Sequence, residues 1–146
     1  MTTKDITDQL NVLANATQKH LKRTELIAGF VQSPDLQEHI QDLIRTKMHN
    51  IQAIHLLIHD FSGSSLNSPS PFLYHLWVRL GKTFAMDKDA FLLQELKTNE
   101  KLLISAFERV IYDEALPLPI LQQVKQQLSQ YIGDYIGLKK MEHSYV

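Results

Sequence analysis

The sequence predicts an all-α fold, an up-down four-helix bundle with one short extra helix, and three observations predict it. Apolar residues recur at spacings of three and four along nearly the whole 146-residue chain. Serine–proline pairs stand where that pattern restarts, as they do at helix starts. No strand-like alternation survives between the turn signals.

The first helix carries Ile6, Leu10, Leu13, Leu21, Ile27 or Ala28, and Val31 on one face. At Ser33-Pro34-Asp35 a new helix begins, with Ser33 as N-cap, Pro34 in the first turn and Asp35 at the positive end of the dipole. This second helix runs on Leu36, Ile40, Leu43 or Ile44, Met48, Ile51, Ile54 or His55, Ile58 and Phe61, ending near Ser62-Gly63. The stretch 62–70 (SGSSLNSPS) has linker composition, with turn formers and little to bury. Ser70-Pro71 opens a short third helix through Phe72, His75 or Leu76, Arg79 or Leu80, and Thr83; Gly81 weakens it by about 1 kcal/mol. Asp87-Lys88-Asp89 marks a turn or a new cap. The fourth helix carries Leu92 or Leu93, Leu96, Leu103, Phe107 and Val110, and Leu116-Pro117-Leu118-Pro119 breaks it. Leu121, Val124, Leu128, Tyr131, Tyr135 and Leu138 belong to the last helix, and the tail from Glu142 to Val146 frays. Two helices of roughly 28 residues and two of about 23 give the bundle, the longest spanning roughly 40 Å.

Residues 1–146 read as one domain with 44% hydrophobic and 21% charged residues, the composition of an ordinary globular protein. With no cysteine there are no disulfides, thiolate nucleophiles or cysteine-ligated metals. A net charge of −1 gives no electrostatic reason to expect nucleic acid or an anionic membrane as partner. The opening MTTKDITDQL holds no apolar run of a signal peptide, and nowhere do about 18 apolar residues run together, so the expected compartment is the cytoplasm.

Polar residues that interrupt the apolar stripes are the candidate site. Glu100 falls between Leu96 and Leu103, where leucine belongs. A carboxylate there costs several kcal/mol unless it ligates a cation, pairs with one or is protonated. It is either a metal ligand, or a carboxylate at the stripe edge or paired with Lys47, Arg23 or His20. His55 and His59 (HLLIH) form an i, i+4 pair that can reach one ion, though Leu56 stands where the zincin motif has Glu. Thr17, His20 and Thr24 interrupt the first helix: either the hydroxyls bond back to their own carbonyls, or the three form a polar cluster facing Glu100. Phe72, Tyr74, His75 and Trp77 read as core or dimer anchors, and Lys19, Lys22 and Arg23 as a solvated face. No Glu-x-x-His pair, Gly-rich phosphate loop or G-x-S-x-G elbow is present.

The run LNVLANATQKHLKRTELIAGFVQSPDLQ, then Tyr74-His75-Leu76-Trp77, Asn99-Glu100 and a proline-started last helix resemble an uncharacterised bacterial four-helix-bundle family of ferritin-like fold. The resemblance spans roughly Leu10 to Met141, with landmarks at Leu10-Asn11, Leu13, Ser33-Pro34 through Leu36, Trp77 and Glu100. Such proteins typically carry acids where Asn15, Lys19 and Lys22 stand here, Gly-Glu-Asp at Asn99-Glu100-Lys101, and His-Asp near Tyr135-Ile136. Of these acidic and His positions Glu100 alone matches, and two replacements are lysines, which repel a metal ion. The resemblance therefore implies the fold and argues against a working di-iron centre.

The functional expectation is a non-enzymatic bundle, needing no cofactor, that acts by protein contact in a bacterial cytoplasm, as a homodimer or with another protein, with a role in stress physiology following only from fold analogy. Phe72, Leu73, Trp77, Phe84 and Phe91 are the candidate contact surface. The alternative is a metal-binding protein (iron, manganese or zinc) with a site built from Glu100, His20 and His55. A third reading is a small-molecule pocket lined by the Thr17–Thr24 cluster.

Overall fold

A computed structural model describes residues 2–62, 88–113 and 116–145 of the chain. Among the described residues there are four helices, α1 (Thr3–Ala28), α2 (Pro34–Ser62), α3 (Lys88–Asp113) and α4 (Leu118–Met141), with a 3₁₀ turn at Glu142–Tyr145. Among the described residues there is no strand. The predicted linker 62–70 lies, past Ser62, outside the described residues, and so do the short helix opened by Ser70-Pro71 and Phe72, Tyr74, His75 and Trp77.

The helix ends follow local chemistry. Thr2 caps α1 reciprocally with Asp5, each side chain reaching the other's backbone N–H. Pro34 starts α2, and the Leu36 amide donates to Ser33 Oγ at 3.3 Å, the capping predicted for that serine. Asp89, in the first turn of α3, accepts from the Gln32 and Ser33 amides and so ties the α1–α2 loop to α3. Pro119 lies in the first turn of α4, just past the predicted break. The tail departs from the frayed end the sequence suggested, because Glu142 accepts from Gln94 and Lys97 and holds the 3₁₀ turn against α3.

The helix directions follow from what packs on what. The start of α1 meets the end of α2 in one apolar cluster (Ile6, Leu10, Ile54, Ile58), and the end of α1 meets the start of α2 in another (Ile27, Leu36, Ile40). The start of α3 (Leu92, Leu93, Leu96) lies in the second cluster and its end (Phe107, Val110) in the first. The start of α4 (Ile120, Val124) lies in the first and Leu138 in the second. The order is thus up-down-down-up, which refines the up-down bundle of the sequence reading. Ser62 and Lys88 stand at opposite ends. α1 packs on α2 and α3, and α3 on α4. On the remaining side α2 and α4 meet at Gly137, where an added Cβ would stand 2.9 Å from His39 Cε1.

Each helix keeps a strict alternation of three- and four-residue steps in its core positions: 6, 10, 13, 17, 20, 24, 27 on α1; 36, 40, 43, 47, 50, 54 on α2; 93, 96, 100, 103, 107, 110 on α3; 120, 124, 127, 131, 134, 138 on α4. This is the seam of left-handed bundle packing. It corrects core assignments on α2 and α4. Lys47, fully buried, holds the core position on α2, while Met48, counted as core by its apolarity, is 50% exposed. On α4, Ile120 and Gln127 are buried one residue before Leu121 and Leu128, which, counted as core by their apolarity, are only partly buried.

Candidate functional site

Between the two apolar clusters every helix contributes buried polar groups at seam positions: Thr17, His20 and Thr24 from α1, Lys47 and Asn50 from α2, Asn99 and Glu100 from α3, Gln127 from α4. Tyr131 and the half-buried Asp134 complete this waist. Polar groups buried in this way cost free energy unless they find partners.

Most do. Lys47 Nζ donates to Glu100 Oε1 with both side chains at 0% exposure. The ammonium also lies 5.6 Å from the Tyr131 ring centroid, and Tyr131 meets Phe107 edge-on at 5.2 Å. Burial pushes the Glu100 carboxyl above its ordinary range, with the Lys47 charge pulling the other way. Thr17 and Thr24 donate to the carbonyls of Leu13 and His20, both at 2.8 Å, as one of the two readings of these threonines predicted. The other reading, a cluster facing Glu100, is not what forms: His20 and Thr24 meet Asn99 instead, whose Nδ2 donates to the His20 carbonyl at 3.0 Å and to Thr24 Oγ1 at 3.1 Å, and whose Oδ1 faces His20 Nδ1. Gln127 Nε2 donates to the Asn50 carbonyl at 3.2 Å, and Asn50 Nδ2 to Gln130 at 2.9 Å.

A few atoms of the waist stay unbonded: Glu100 Oε2, Gln127 Oε1, the Tyr131 hydroxyl and Asp134 Oδ2. The hydroxyl lies near Asn50 and Thr17 without a hydrogen bond of good geometry, and burial pushes its pKa up. Burial and the neighbouring Glu100 charge raise Asp134 to about 6. Burial lowers His20 to about 4, against the opposing pull of its Asn99 bond.

The three sequence candidates for a metal therefore separate. Glu100 goes to Lys47, one of the three partners named for it, and His20 goes to Asn99. His55 is half-buried further along α2, and His59 is exposed. Among the described residues no group of three or more His, Asp or Glu is placed to hold one metal ion. Lys47, Asn50, Asn99, Gln127 and Asp134 were not singled out as core by apolarity; the three–four rhythm, followed regardless of residue type, reaches all but Asn99.

Two open grooves flank the waist. One of about 530 Å³ lies between α1 and α2, floored by Leu21, Ile44, Met48 and Ile51. The other, about 370 Å³, lies between α1 and α3, and His20, not the threonines, forms part of its wall. Among the described residues no helix is long and apolar enough to cross a membrane. Of the candidate contact residues Phe91 packs partly buried against the second apolar cluster, and Phe72, Leu73, Trp77 and Phe84 lie outside the described residues. No protein family, curated protein or solved structure matches the chain.

Proposed function

We propose that this chain is a ferritin-like bundle of the cytoplasm that works by binding protein, as a homodimer or with another partner, and not by catalysis. The observation that carries the reading is the Lys47–Glu100 pair: the cation that a core carboxylate demands is supplied by the chain itself, at 0% exposure. The up-down-down-up order of the four described helices is the order of ferritin-like bundles, which supports the family resemblance. Lys47 Nζ and Glu100 Oε1 are turned on one another behind the helix wall. On the outside, Ile132 and Ile136 stand one turn apart on α4 at 40% and 45% exposure, beside Gly133, whose flank is open. Exposed apolar side chains so grouped suit a protein contact.

A divalent metal at Glu100 is the second reading, favoured by the buried, unbonded Glu100 Oε2 and Asp134 Oδ2. Elemental analysis and light scattering on the same untagged sample separate the two. A metal-free dimer that dissociates in Ile132→Lys/Ile136→Lys supports the first. About one equivalent of iron, manganese or zinc per chain, lost in a folded Glu100→Gln variant, supports the second. A metal-free monomer at high concentration that captures no partner overturns the first.

A further inference from the structure

The bonds around Asn99 fix the position of one proton. Thr24 Oγ1 spends its hydrogen on the His20 carbonyl, so its oxygen is the acceptor for Asn99 Nδ2. The same Nδ2 donates to the His20 carbonyl. The Asn99 atom against His20 Nδ1 is therefore the carbonyl Oδ1, which only accepts, so Nδ1 carries the hydrogen. Flipping the amide would press Oδ1 against the His20 carbonyl oxygen, two acceptors in contact. With His20 held down at about 4 the ring is neutral at pH 7, and its lone pair sits on Nε2.

Nε2 has no protein partner among the described residues. The ring, 5% exposed, belongs to the wall of the α1–α3 groove, where Asn15, Lys19, Leu102, Ser105 and Arg109 are its neighbours and no acid lines the surface. Lys19 and Arg109 are exposed and carry no ion pair among the described residues. Two free cations attract an anion, while a lone pair fixed in direction asks for an O–H. An oxyanion that retains one hydrogen satisfies both, its charged oxygens toward Lys19 and Arg109 and its O–H toward Nε2. Sulfate offers the charge without the hydrogen.

We propose that the α1–α3 groove binds inorganic hydrogen phosphate, with Lys19 and Arg109 holding the anionic oxygens, His20 Nε2 accepting the phosphate hydrogen, and Asn99 positioning the imidazole. This site is independent of the protein-contact reading and of a metal held at Glu100 and Asp134, since neither carboxylate nor Lys47 takes part in it; His20, named in the sequence as a metal candidate, serves here instead.

Calorimetric titration of the full chain at pH 7.5 with phosphate, and separately with sulfate, tests it. Phosphate should bind saturably and sulfate at least about tenfold more weakly, and Lys19→Gln or Arg109→Gln should each weaken phosphate about tenfold, the scale of one lost charge-assisted bond. Both positions are exposed, so the variants should fold as the parent does. Nitrogen-15 spectra of the histidines supply a readout without any variant: His20 should show the hydrogen on Nδ1, and Nε2 should shift with phosphate. Equal binding of the two anions, binding unchanged in both variants, no binding at all, or a hydrogen on Nε2 in the free protein would each overturn the proposal.

Discussion

The two ends of the bundle and its waist are built on one seam rhythm yet answer different questions. At the ends the seam positions are Leu, Ile, Val and Phe, and any residue of similar size would bury comparable area. At the waist the same positions hold Thr17, His20, Lys47, Asn50, Glu100 and Gln127, whose partners sit on other helices for the most part. The ends bury the apolar side chains, the dominant favourable term in folding. The waist adds direction, because a bundle slipped by one turn would leave an ammonium or a carboxylate alone in the core. Polar groups at seam positions are known to fix register at a cost in stability.

The largest effect that can break this contrast is on the ion pair. Lys47→Met or Glu100→Gln alone should cost about 3–5 kcal/mol, since each strands a buried partner. The double variant Lys47→Met/Glu100→Leu should return to the parent stability or exceed it by about 1–4 kcal/mol. Leu13→Ala or Leu96→Ala at the ends should cost about 2–5 kcal/mol, with no second substitution on another helix that restores it. Urea unfolding measures all of these. A double variant as unstable as the summed singles would show that the pair is not a unit, and the contrast between waist and ends would collapse.

A smaller effect sharpens the description of the waist. Asn99→Leu removes the acceptor of His20 Nδ1–H and the donor to Thr24 and the His20 carbonyl. The cost should be about 1–3 kcal/mol, the penalty of leaving a buried donor unpaired. Nitrogen-15 spectra should show His20 losing its single tautomer in the same variant. A tautomer unchanged by Asn99→Leu would mean that something other than Asn99 orients the ring.

The sequence made the ends legible and the waist only partly so. Ile6, Leu10, Leu13, Leu96, Leu103, Phe107 and Val110 announce themselves because apolarity and rhythm agree there. Glu100 was visible because it breaks a stripe with leucine on both sides. Lys47 was visible only as a cation that could reach Glu100, and its place in the core was given to Met48, because a hydrophobic neighbour one residue off the rhythm looks like the better core residue. The pairing of His20 with Asn99 was out of reach. It depends on the antiparallel register of α1 against α3 across 79 residues of chain, and nothing local in either helix encodes that register. The exposed grooves were hidden for the same reason, since each is the gap between two helices.

The smallest effect is in pH, and here the waist opposes itself. His20 is neutral in the fold down to about 4 but protonates at its ordinary 6.5 when unfolded. As pH falls through that window the unfolded state binds more protons, and stability falls. Asp134 works in the other direction: its folded pKa of about 6 lies above its ordinary 3.8, so the native state binds more protons there and acidification stabilises. Glu100, raised likewise by burial, acts in the same sense as Asp134. Asp134→Asn removes one side of this balance and leaves the other. The variant should be more stable than the parent at pH 7.5, by about 1 kcal/mol or less because solvent screens a half-buried carboxylate. That gain should fade as pH falls from 6 to 4, while the variant's own melting temperature drops more steeply than the parent's. Melting curves at pH 7.5, 6, 5 and 4 decide it. A difference between the two proteins that does not change with pH would remove Asp134 from the titrating waist and leave Glu100 to oppose His20 alone.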